Sequence, residues 1–195
     1  MKIKIIGGTH KGFVITQGKK VKCRPLTGRV KENIFNILLH SKKLKKDKIL
    51  KISECNVLDL FAGIGSFGIE SLSRGAKSCC FIDSNYMHLK NIKENLSKLT
   101  FSQNIIISKN DITKIEKPTK NQKNIYNVVF IDPPYQNKIV NLAIKNILQN
   151  EWLAKDAIII IKQSVTCSEN ITKFLKIIYK NKYGSNLITF AKISN

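Results

Sequence analysis

Hydrophobic positions alternate along most of the chain between short apolar runs and stretches with helical spacing. The short runs predict strands at 56–61, 78–82, 104–108, 126–131 and 157–162. The helical stretches predict helices at 66–74, 85–99 and 138–149. Strands that alternate with helices are typical of βαβ units. We therefore expect an α/β fold built on a mostly parallel sheet.

Both ends of the chain depart from this alternation. Two β-rich runs, Phe174 to Lys180 and Leu187 to Ile193, flank a glycine-containing turn and predict a terminal antiparallel hairpin. At the other end, Lys2 to Ile6 and Gly12 to Thr16 flank two glycines and predict a second hairpin. Apolar residues at helical spacing then predict a helix over 29–40.

This first helix has Thr27 available as its N-terminal cap, and we expect it to pack on the main domain. The lysine-rich segment 41–51 breaks the helical pattern, and we interpret it as a connector. We therefore divide the chain into a basic N-terminal extension, 1–51, and a Rossmann-like domain, 52–195.

Positive charge is concentrated near the N-terminus. The chain carries a formal net charge of +21 at pH 7. Residues 1–51 contain fifteen Lys and Arg against two acidic residues, whereas residues 52–195 contain nineteen against eleven. A field of this sign favours polyanions such as nucleic acid. A composition rich in Lys, Ile and Asn could produce the total charge without a binding role, but the uneven distribution weakens that alternative.

The cysteine and histidine positions predict neither a disulfide framework nor a metal site. The five cysteines are scattered without C-x-x-C spacing, and the three histidines are dispersed. The longest purely aliphatic run, Ala157 to Ile161, is far short of the roughly 20 apolar residues that a membrane span needs. The basic N-terminus lacks a secretory apolar core. We expect a soluble, cytoplasmic, monomeric protein with no metal and no membrane partner.

A glycine loop follows the first predicted strand of the main domain. Gly63, Gly65 and Gly68 satisfy G-x-G-x-x-G, and Asp83 lies twenty residues after the first of them, where a ribose-binding acid is expected. The motif alone leaves a nicotinamide- or flavin-binding protein as an alternative. Asp59 favours S-adenosylmethionine, because a carboxylate there would repel a pyrophosphate but would suit a sulfonium or an ammonium group.

The candidate cofactor-binding residues share this loop and the ends of the next two strands: Asp59, Phe61, Ala62, Gly63, Gly65, Asp83, Ser84, Asp111 and Ile112. Three of the acids also have simpler interpretations. Asp59 would serve as a cap for the loop amides, Asp83 as a helix N-cap, and Asp111 as a turn or cap residue.

A second motif, Asp132-Pro133-Pro134-Tyr135, ends the predicted strand at 126–131. The two prolines stiffen the loop at the edge where open α/β sheets bind their ligands. The Asp132 carboxylate and the Pro133 carbonyl would accept hydrogen bonds from an exocyclic base amine and hold its nitrogen in line with a methyl donor. Tyr135 would supply a flat face for an unstacked base. Alternatively, the tetrapeptide is a strand-ending turn with a core tyrosine.

With these motifs in place, the whole chain resembles the RsmD family of methyltransferases, which modify the N2 amine of a guanine in small-subunit ribosomal RNA. The markers are Ile5–Gly8 with Lys11–Gly12, Arg24–Glu32, Leu58–Gly63, Asp132–Tyr135 and Lys182–Gly184. The resemblance implies a class I fold with a seven-stranded sheet that ends in an antiparallel hairpin. It also implies S-adenosylmethionine as cofactor and a ribosomal RNA partner within a small-subunit particle.

The resemblance further implies that the basic N-terminal residues lie beside the active site and hold RNA, with Lys11, Arg24, Thr27 and Arg29 as candidates. Lys2, Lys4, Lys19, Lys20 and Lys22 are weaker candidates for phosphate contacts. This chain departs from the family at Gly28, where an Asp is usual, and at Asn85, where a second acid is usual. We assign the ribose role to Asp83 and none to Asn85.

Three other functions stay open from the sequence. A DNA adenine or cytosine amino-methyltransferase would share the same catalytic logic. A non-catalytic RNA-binding protein would bind RNA without needing Asp132, and a dinucleotide-binding Rossmann protein would need only the glycine loop.

Overall fold

The computed structural model describes residues 3–18, 21, 23, 26–41, 44, 50–120, 125–134, 139–171 and 173–194. The strands are β1 (Ile3–Lys4), β2 (Val14–Ile15), β3 (Asn56–Leu60), β4 (Ser78–Asp83), β5 (Asn104–Lys109), β6 (Tyr126–Ile131), β7 (Leu153–Ser164), β8 (Leu175–Tyr183) and β9 (Asn186–Ile193). The helices are α1 (Gly28–His40), α2 (Ser66–Ser73), α3 (Tyr86–Leu96) and α4 (Val140–Gln149).

Seven of the strands form one sheet in the order β5-β4-β3-β6-β7-β9-β8. The strands from β3 to β7 pair in parallel, and β9 runs antiparallel to both of its neighbours. This confirms the predicted mostly parallel, seven-stranded sheet with an antiparallel hairpin at its end. Because β3 lies between β4 and β6, the chain reverses direction of winding beside β3, which is where such sheets bind ligands.

Apolar side chains fill both faces of this sheet. One face packs against α1, α2 and α3, and the other against α4. On the first face, Phe35 of α1 stacks on Phe67 of α2 with ring centroids 5.2 Å apart, and Phe67 stacks on Phe130 of β6 at 4.3 Å. The first helix therefore packs on the main domain, as predicted, and shares its core. Thr27 is the residue that precedes α1, but its side chain makes no capping hydrogen bond within the described part.

The N-terminal hairpin is shorter than its sequence pattern predicted, because side chains of α1 and α2 form hydrogen bonds with its backbone groups. Glu70 of α2 accepts the Ile6 amide at 2.9 Å, and the Lys31 ammonium donates to the Lys4 carbonyl at 2.8 Å. Regular pairing consequently stops after Lys4, although the amide of Ile5 still donates to the Phe13 carbonyl at 2.9 Å. The hairpin is fixed to α1 and α2 by polar contacts as well as by its apolar residues.

The C-terminal end of α2 receives the turn of this hairpin. The Thr9 amide donates to the Ser73 carbonyl at 2.7 Å, and the Ser73 hydroxyl donates to the Gly7 carbonyl at 2.7 Å. A Cβ added at Gly8 would lie 1.7 Å from that Ser73 carbonyl oxygen. Only glycine fits this close approach of the two backbones.

Other boundaries also differ from the predictions: α3 ends at Leu96, where the predicted helix runs to 99, and β8 ends at Tyr183, where the predicted strand runs to 180. The predicted helix at 138–149 begins at Val140, where Glu169 accepts the amides of Val140 at 2.8 Å and Asn141 at 3.2 Å. This cap comes from a residue far along the chain. Strand β7 is longer than the predicted 157–162, since it pairs with β6 on one side and with seven residues of β9 on the other.

Candidate active site

The carboxyl ends of β3 and β6 lie side by side at one edge of the sheet. Leu60 is paired with Ile131, and Leu60 is also paired with Ile82 of β4. The glycine loop after β3, the acid that ends β4 and the Asp132 loop after β6 therefore leave the sheet at the same level. The structure brings together the two motifs that the sequence separates by about seventy residues.

The glycine loop has an unusual backbone. Phe61, Gly63 and Gly65 have φ values of 56°, 57° and 74°, so three of five consecutive residues lie in the left-handed region. Glycine adopts this region readily, whereas for Phe61 it is strained. Gly65 precedes the first residue of α2, and its amide donates to the Ala62 carbonyl at 2.7 Å. The loop thus curls tightly around the end of β3, with the N-terminus of α2 beside it.

Gly68 brings α2 close to the sheet. A Cβ at this position would lie 2.3 Å from Cε1 of Phe81 and 2.7 Å from Sγ of Cys79, both on β4. The third glycine of the motif therefore serves helix–sheet packing rather than ligand contact.

Asp59 is buried beneath the loop, with a relative exposure of 2%. Its Oδ2 accepts the Gly68 amide at 2.9 Å, which is the loop-capping interaction considered from the sequence. Burial, reinforced by the negative charges of Asp132 and Asp83, raises the pKa of the Asp59 carboxyl well above its usual value. Three carboxylates thus share one small region, and a bound cation would relieve their mutual repulsion.

Asp83 joins the glycine loop to the loop after β4. Its Oδ2 accepts the Gly63 amide at 2.8 Å and lies 3.1 Å from Nδ1 of His88, while its Oδ1 accepts the Asn85 amide at 2.8 Å. Asn85 is the N-cap of α3 and accepts the Met87 amide at 2.9 Å. The acid therefore orders two loops of the pocket, and Ser84 beside it is exposed.

Asp111 and Ile112 occupy the turn after β5. The Asp111 Oδ1 accepts the amide and the hydroxyl of Thr113 at 2.9 and 2.7 Å, and these bonds hold the pKa of Asp111 below its usual value. Asp111 is exposed and caps this turn, whereas Ile112 is buried with 1% exposure. The amide of Asn110 donates to the Asp83 carbonyl at 3.2 Å, which ties the turn to the rest of the pocket.

The catalytic candidate Asp132 is partly buried and ion-paired. Its Oδ1 lies 2.6 Å from Nζ of Lys162 on β7, and the two side chains are 16% and 4% exposed. Pro133 is buried and Pro134 exposed. Tyr135 lies outside the described residues. The described part of the motif presents a carboxylate at the sheet edge on a proline-stiffened backbone.

Cys23, which lies between β2 and α1 in the chain, approaches the glycine loop. A Cβ on Gly63 would lie 3.5 Å from Sγ of Cys23. Burial, together with the charges of Asp83 and Asp132, raises the pKa of the Cys23 thiol. Cys23 therefore lies near the carboxylates of Asp83 and Asp132.

The RNA-binding candidates differ in how exposed they are. Arg29 is exposed in the first turn of α1, Thr27 is half-buried just before it, and Lys11 is exposed in the hairpin turn. Arg24 lies outside the described residues, as do the weaker candidates Lys2, Lys19, Lys20 and Lys22.

Comparison with known proteins identifies the family. Residues 3–192 match the family described as conserved hypothetical protein 95. The chain belongs to this family. An uncharacterized methylase of Rickettsia prowazekii is 33% identical over 99% of this chain and 98% of its own length. The ribosomal RNA small subunit methyltransferase D of Buchnera aphidicola is 33% identical over 87% of this chain and 80% of its own length.

Solved structures show the same architecture. The Escherichia coli protein yhhF, a provisionally assigned methyltransferase, superposes with a TM-score of 0.80 over 100% of this chain and 99% of its own, at 24% identity. These matches confirm the resemblance to the RsmD family, the class I fold and the methyltransferase class. As a methyltransferase of the conserved hypothetical protein 95 family, the protein needs a methyl donor.

The described residues were compared with what a metal site and a membrane-spanning helix require. Among them, no group of three or more His, Cys, Asp and Glu side chains is arranged to hold a metal ion. Over the same ranges, no helix combines the length and the apolar character that crossing a membrane requires.

Sequence patterns missed two side chains of this site. Lys162 and Cys23 lie in segments without a recognisable motif, and only the fold brings them to the pocket. The signal for Lys162 is weak but present, since it follows the apolar run Ala157–Ile161 just as Asp132 follows the apolar end of β6. A lysine and an aspartate that leave two adjacent parallel strands at the same level are placed to pair.

Proposed function

We propose that this protein transfers a methyl group from S-adenosylmethionine to the exocyclic N2 amine of a guanine in small-subunit ribosomal RNA. The observation that carries the proposal is the position of Asp132 beside the glycine loop, fixed by the pairing of β6 with β3. The family membership supports the choice of reaction, and the relatives named as ribosomal RNA small subunit methyltransferases support the choice of substrate.

The donor set of the pocket suits this cofactor. S-adenosylmethionine carries two positive groups, a sulfonium and an ammonium, and no phosphate. The acids Asp59, Asp83 and Asp132 lie near one another, since the charges of Asp83 and Asp132 both raise the pKa of Asp59. We infer that Asp59 and the loop residues Phe61–Gly65 would hold the methionine part. Asp83, Ser84, Asp111 and Ile112 would hold the nucleoside part.

When bound, the cofactor supplies an electrophilic methyl group. The Asp132 carboxylate and the Pro133 carbonyl accept the two N–H protons of the base amine and turn its lone pair towards that methyl carbon. Methyl transfer to the nitrogen would leave the carbon–sulfur electron pair on sulfur and a surplus proton on the nitrogen. Asp132 would accept that proton along its hydrogen bond to the amine. Tyr135 would provide the stacking face for the unpaired base.

The N-terminal extension, 1–51, would form the RNA-facing side. Its residue Cys23 lies beside Gly63 of the glycine loop. Lys11, Arg24, Thr27 and Arg29 would contact the RNA backbone. The proposal also includes a substrate within a small-subunit particle and a monomeric enzyme. It places the enzyme in the cytoplasm, where bacterial ribosomes reside.

The test is incubation with methyl-labelled S-adenosylmethionine and, in parallel, small ribosomal subunits, free small-subunit RNA and duplex DNA. We expect label in ribosomal RNA, recovered after digestion as N2-methylguanosine by mass spectrometry. Label confined to DNA would establish the amino-methyltransferase alternative. Tight RNA binding without any methylated base would establish the non-catalytic one.

A further inference from the structure

A buried lysine accompanies the candidate catalytic carboxylate. Lys162 lies on β7, next to β6, and the neighbouring residues Ile131 and Ile161 are directly paired. Its ammonium is 2.6 Å from Oδ1 of Asp132, and the residue as a whole is only 3% exposed. Lysine is almost never buried to this extent unless it is paired, because removing its charge from water is unfavourable. The buried position of the Lys162 ammonium therefore depends on its ion pair with Asp132.

Ionisable groups from several described elements lie near Asp132. The charge of Asp132 raises the pKa of both Asp59 on β3 and the Cys23 thiol, and Asp83 at the end of β4 has the same effect on these two groups. Lys162 from β7 is a cation paired with Asp132. A negative charge on Asp83, and on Asp59 whenever that carboxyl is ionised, disfavours a negative charge on Asp132, since like charges repel more strongly in a poorly solvated pocket. The lysine opposes them.

Protonation of Asp132 would stop the proposed chemistry. A neutral carboxyl becomes a donor through its O–H and loses much of its strength as an acceptor for an amine N–H. The orientation of the carboxylate matters equally, because the nitrogen must approach the methyl carbon in line. A fixed hydrogen bond at one carboxylate oxygen sets the plane of the group before the base arrives.

We propose that Lys162 is a positioning residue of the methyl-transfer site, which keeps Asp132 ionised among the neighbouring acids and fixes the orientation of its carboxylate. This inference rests on the proposed function of Asp132. Lys162 acts through Asp132 and does not itself contact the base or the cofactor. A lysine that served only as a structural ion pair would support folding without affecting how turnover depends on pH.

The decisive variants are Lys162→Met, which removes the charge, and Lys162→Arg, which keeps it. Lys155→Met is the matched control, since Lys155 is an exposed residue near the start of the same strand. We expect Lys162→Met to reduce kcat at pH 7 by about 100-fold, the loss that misplacing a reacting group causes. The KM for RNA and the Kd for S-adenosylmethionine should each change by less than about threefold, which is well under the 1.4 kcal/mol of a tenfold change.

The pH profile gives the specific readout. In Lys162→Met the acid limb, which is the acid side of the plot of kcat against pH, should move to higher pH by about one to two pH units. The loss of kcat relative to the native protein should therefore become smaller in alkaline buffer. Lys162→Arg should retain the native limb and most of the turnover, and Lys155→Met should match the native protein. A deficit of equal size at every pH, or an equal loss in Lys162→Arg, would overturn the proposal.

A measurement without turnover separates this inference from the proposed function. Carboxyl-carbon NMR of protein labelled at aspartate, with the Asp132 signal assigned through Asp132→Asn, follows the ionisation of Asp132 directly. Its titration should move to higher pH in Lys162→Met, and an unchanged titration overturns the role of Lys162 whatever reaction the enzyme performs. Lys162→Gln, which keeps a donor and loses the charge, replaces Lys162→Met if the latter fails to fold.

Discussion

At the level of single residues, Asp132 has the most direct bearing on the reaction. We expect Asp132→Ala to lower kcat by at least about 100-fold, because the amine loses the acceptor that orients it. Cofactor binding measured by calorimetry should persist, since Asp59 and the glycine loop are unchanged. Asp156→Ala, at an exposed acid of β7, is the control. Native turnover in Asp132→Ala would exclude the proposed mechanism.

Asp59 should make stability depend on pH. Its pKa is raised in the folded protein, chiefly by burial, so the folded state holds a proton that the unfolded chain releases above its ordinary value near 3.8. Stability therefore decreases as pH rises from that value through the folded pKa, with a slope of up to about 1.4 kcal/mol per pH unit.

Asp59→Asn removes this ionisation while it keeps an oxygen that can accept the Gly68 amide. Urea denaturation between pH 5 and 8 should show the variant gaining stability relative to the native protein as the pH increases. A stability difference that stays constant over this range would contradict the assignment.

The sequence predicted those residues of the site that stand in short, local motifs. Asp59 lies next to the last residue of β3, Asp83 ends β4 and Asp132 follows β6, so their common edge could be predicted once the strands were recognised. Cys23 could not be predicted, since no local pattern marks it. For Lys162 the apolar run before it is only a weak signal, since its partner Asp132 follows a different strand. The double use of Asp83, which accepts amides from two loops, also depends on the folded loops.

At the level of secondary-structure elements, Gly68 and Gly28 offer a matched pair of glycine substitutions in helices. Gly68→Ala should destabilise the protein by about 1–3 kcal/mol, because its Cβ would meet Phe81 at 2.3 Å. Gly28→Ala, at the exposed start of α1, should stabilise it by about 0.4–1 kcal/mol, since the nearest atom is 4.0 Å away. Thermal and urea denaturation provide both values, and equal effects would refute the packing role of Gly68.

The contact between the hairpin, α1 and α2 depends on Glu70. This fully buried carboxylate is 3.0 Å from the buried Lys31 ammonium and 2.8 Å from Nε of Arg74, and it accepts the Ile6 amide. Glu70→Gln should destabilise the protein by about 3–5 kcal/mol, because it leaves the buried Lys31 charge without a counterion.

The control for Glu70 is Glu54→Gln, which breaks an exposed ion pair with Lys51 whose two side chains are each 67% exposed. That change should lower the free energy of unfolding by less than about 1 kcal/mol. Urea denaturation at pH 7 compares the two variants directly. Equal losses would show that the buried network is not what holds the hairpin.

Element boundaries illustrate what local patterns leave out. Periodicity located both ends of β3, β4, β5 and β6 to within about one residue, because parallel strands carry continuous apolar runs, whereas β7 begins at Leu153, well before the predicted 157. The start of α4 depends on Glu169, and the end of β1 depends on Glu70; both acids lie tens of residues away. The sequence around each boundary does not indicate that Glu169 or Glu70 will bind there.

At the level of the whole molecule, the uneven charge should govern RNA affinity. Binding to small-subunit RNA should weaken linearly on a plot of log affinity against log salt concentration. Lys11→Ala and Arg29→Ala should each reduce the slope by about 0.7, the value for one phosphate contact to a single strand. Lys155→Ala, near the start of β7 and thus at the opposite edge of the sheet from Asp132, should leave the slope unchanged.

Filter binding over a series of salt concentrations provides these slopes. Equal reductions in all three variants would mean that the net charge of +21 attracts RNA without a defined surface. A reduction confined to the two N-terminal variants would define the RNA-facing side.

The burial of Glu70 also sets the order in which the molecule is completed during its synthesis. The ribosome releases the basic N-terminal residues first. Lys31, however, cannot leave water until the carboxylate that neutralises it has emerged from the exit tunnel. Residues 3–15 therefore reach their final position only after the glycine loop and α2 have been made. The nascent basic arm stays hydrated until then, and it packs only once the glycine loop has been synthesised.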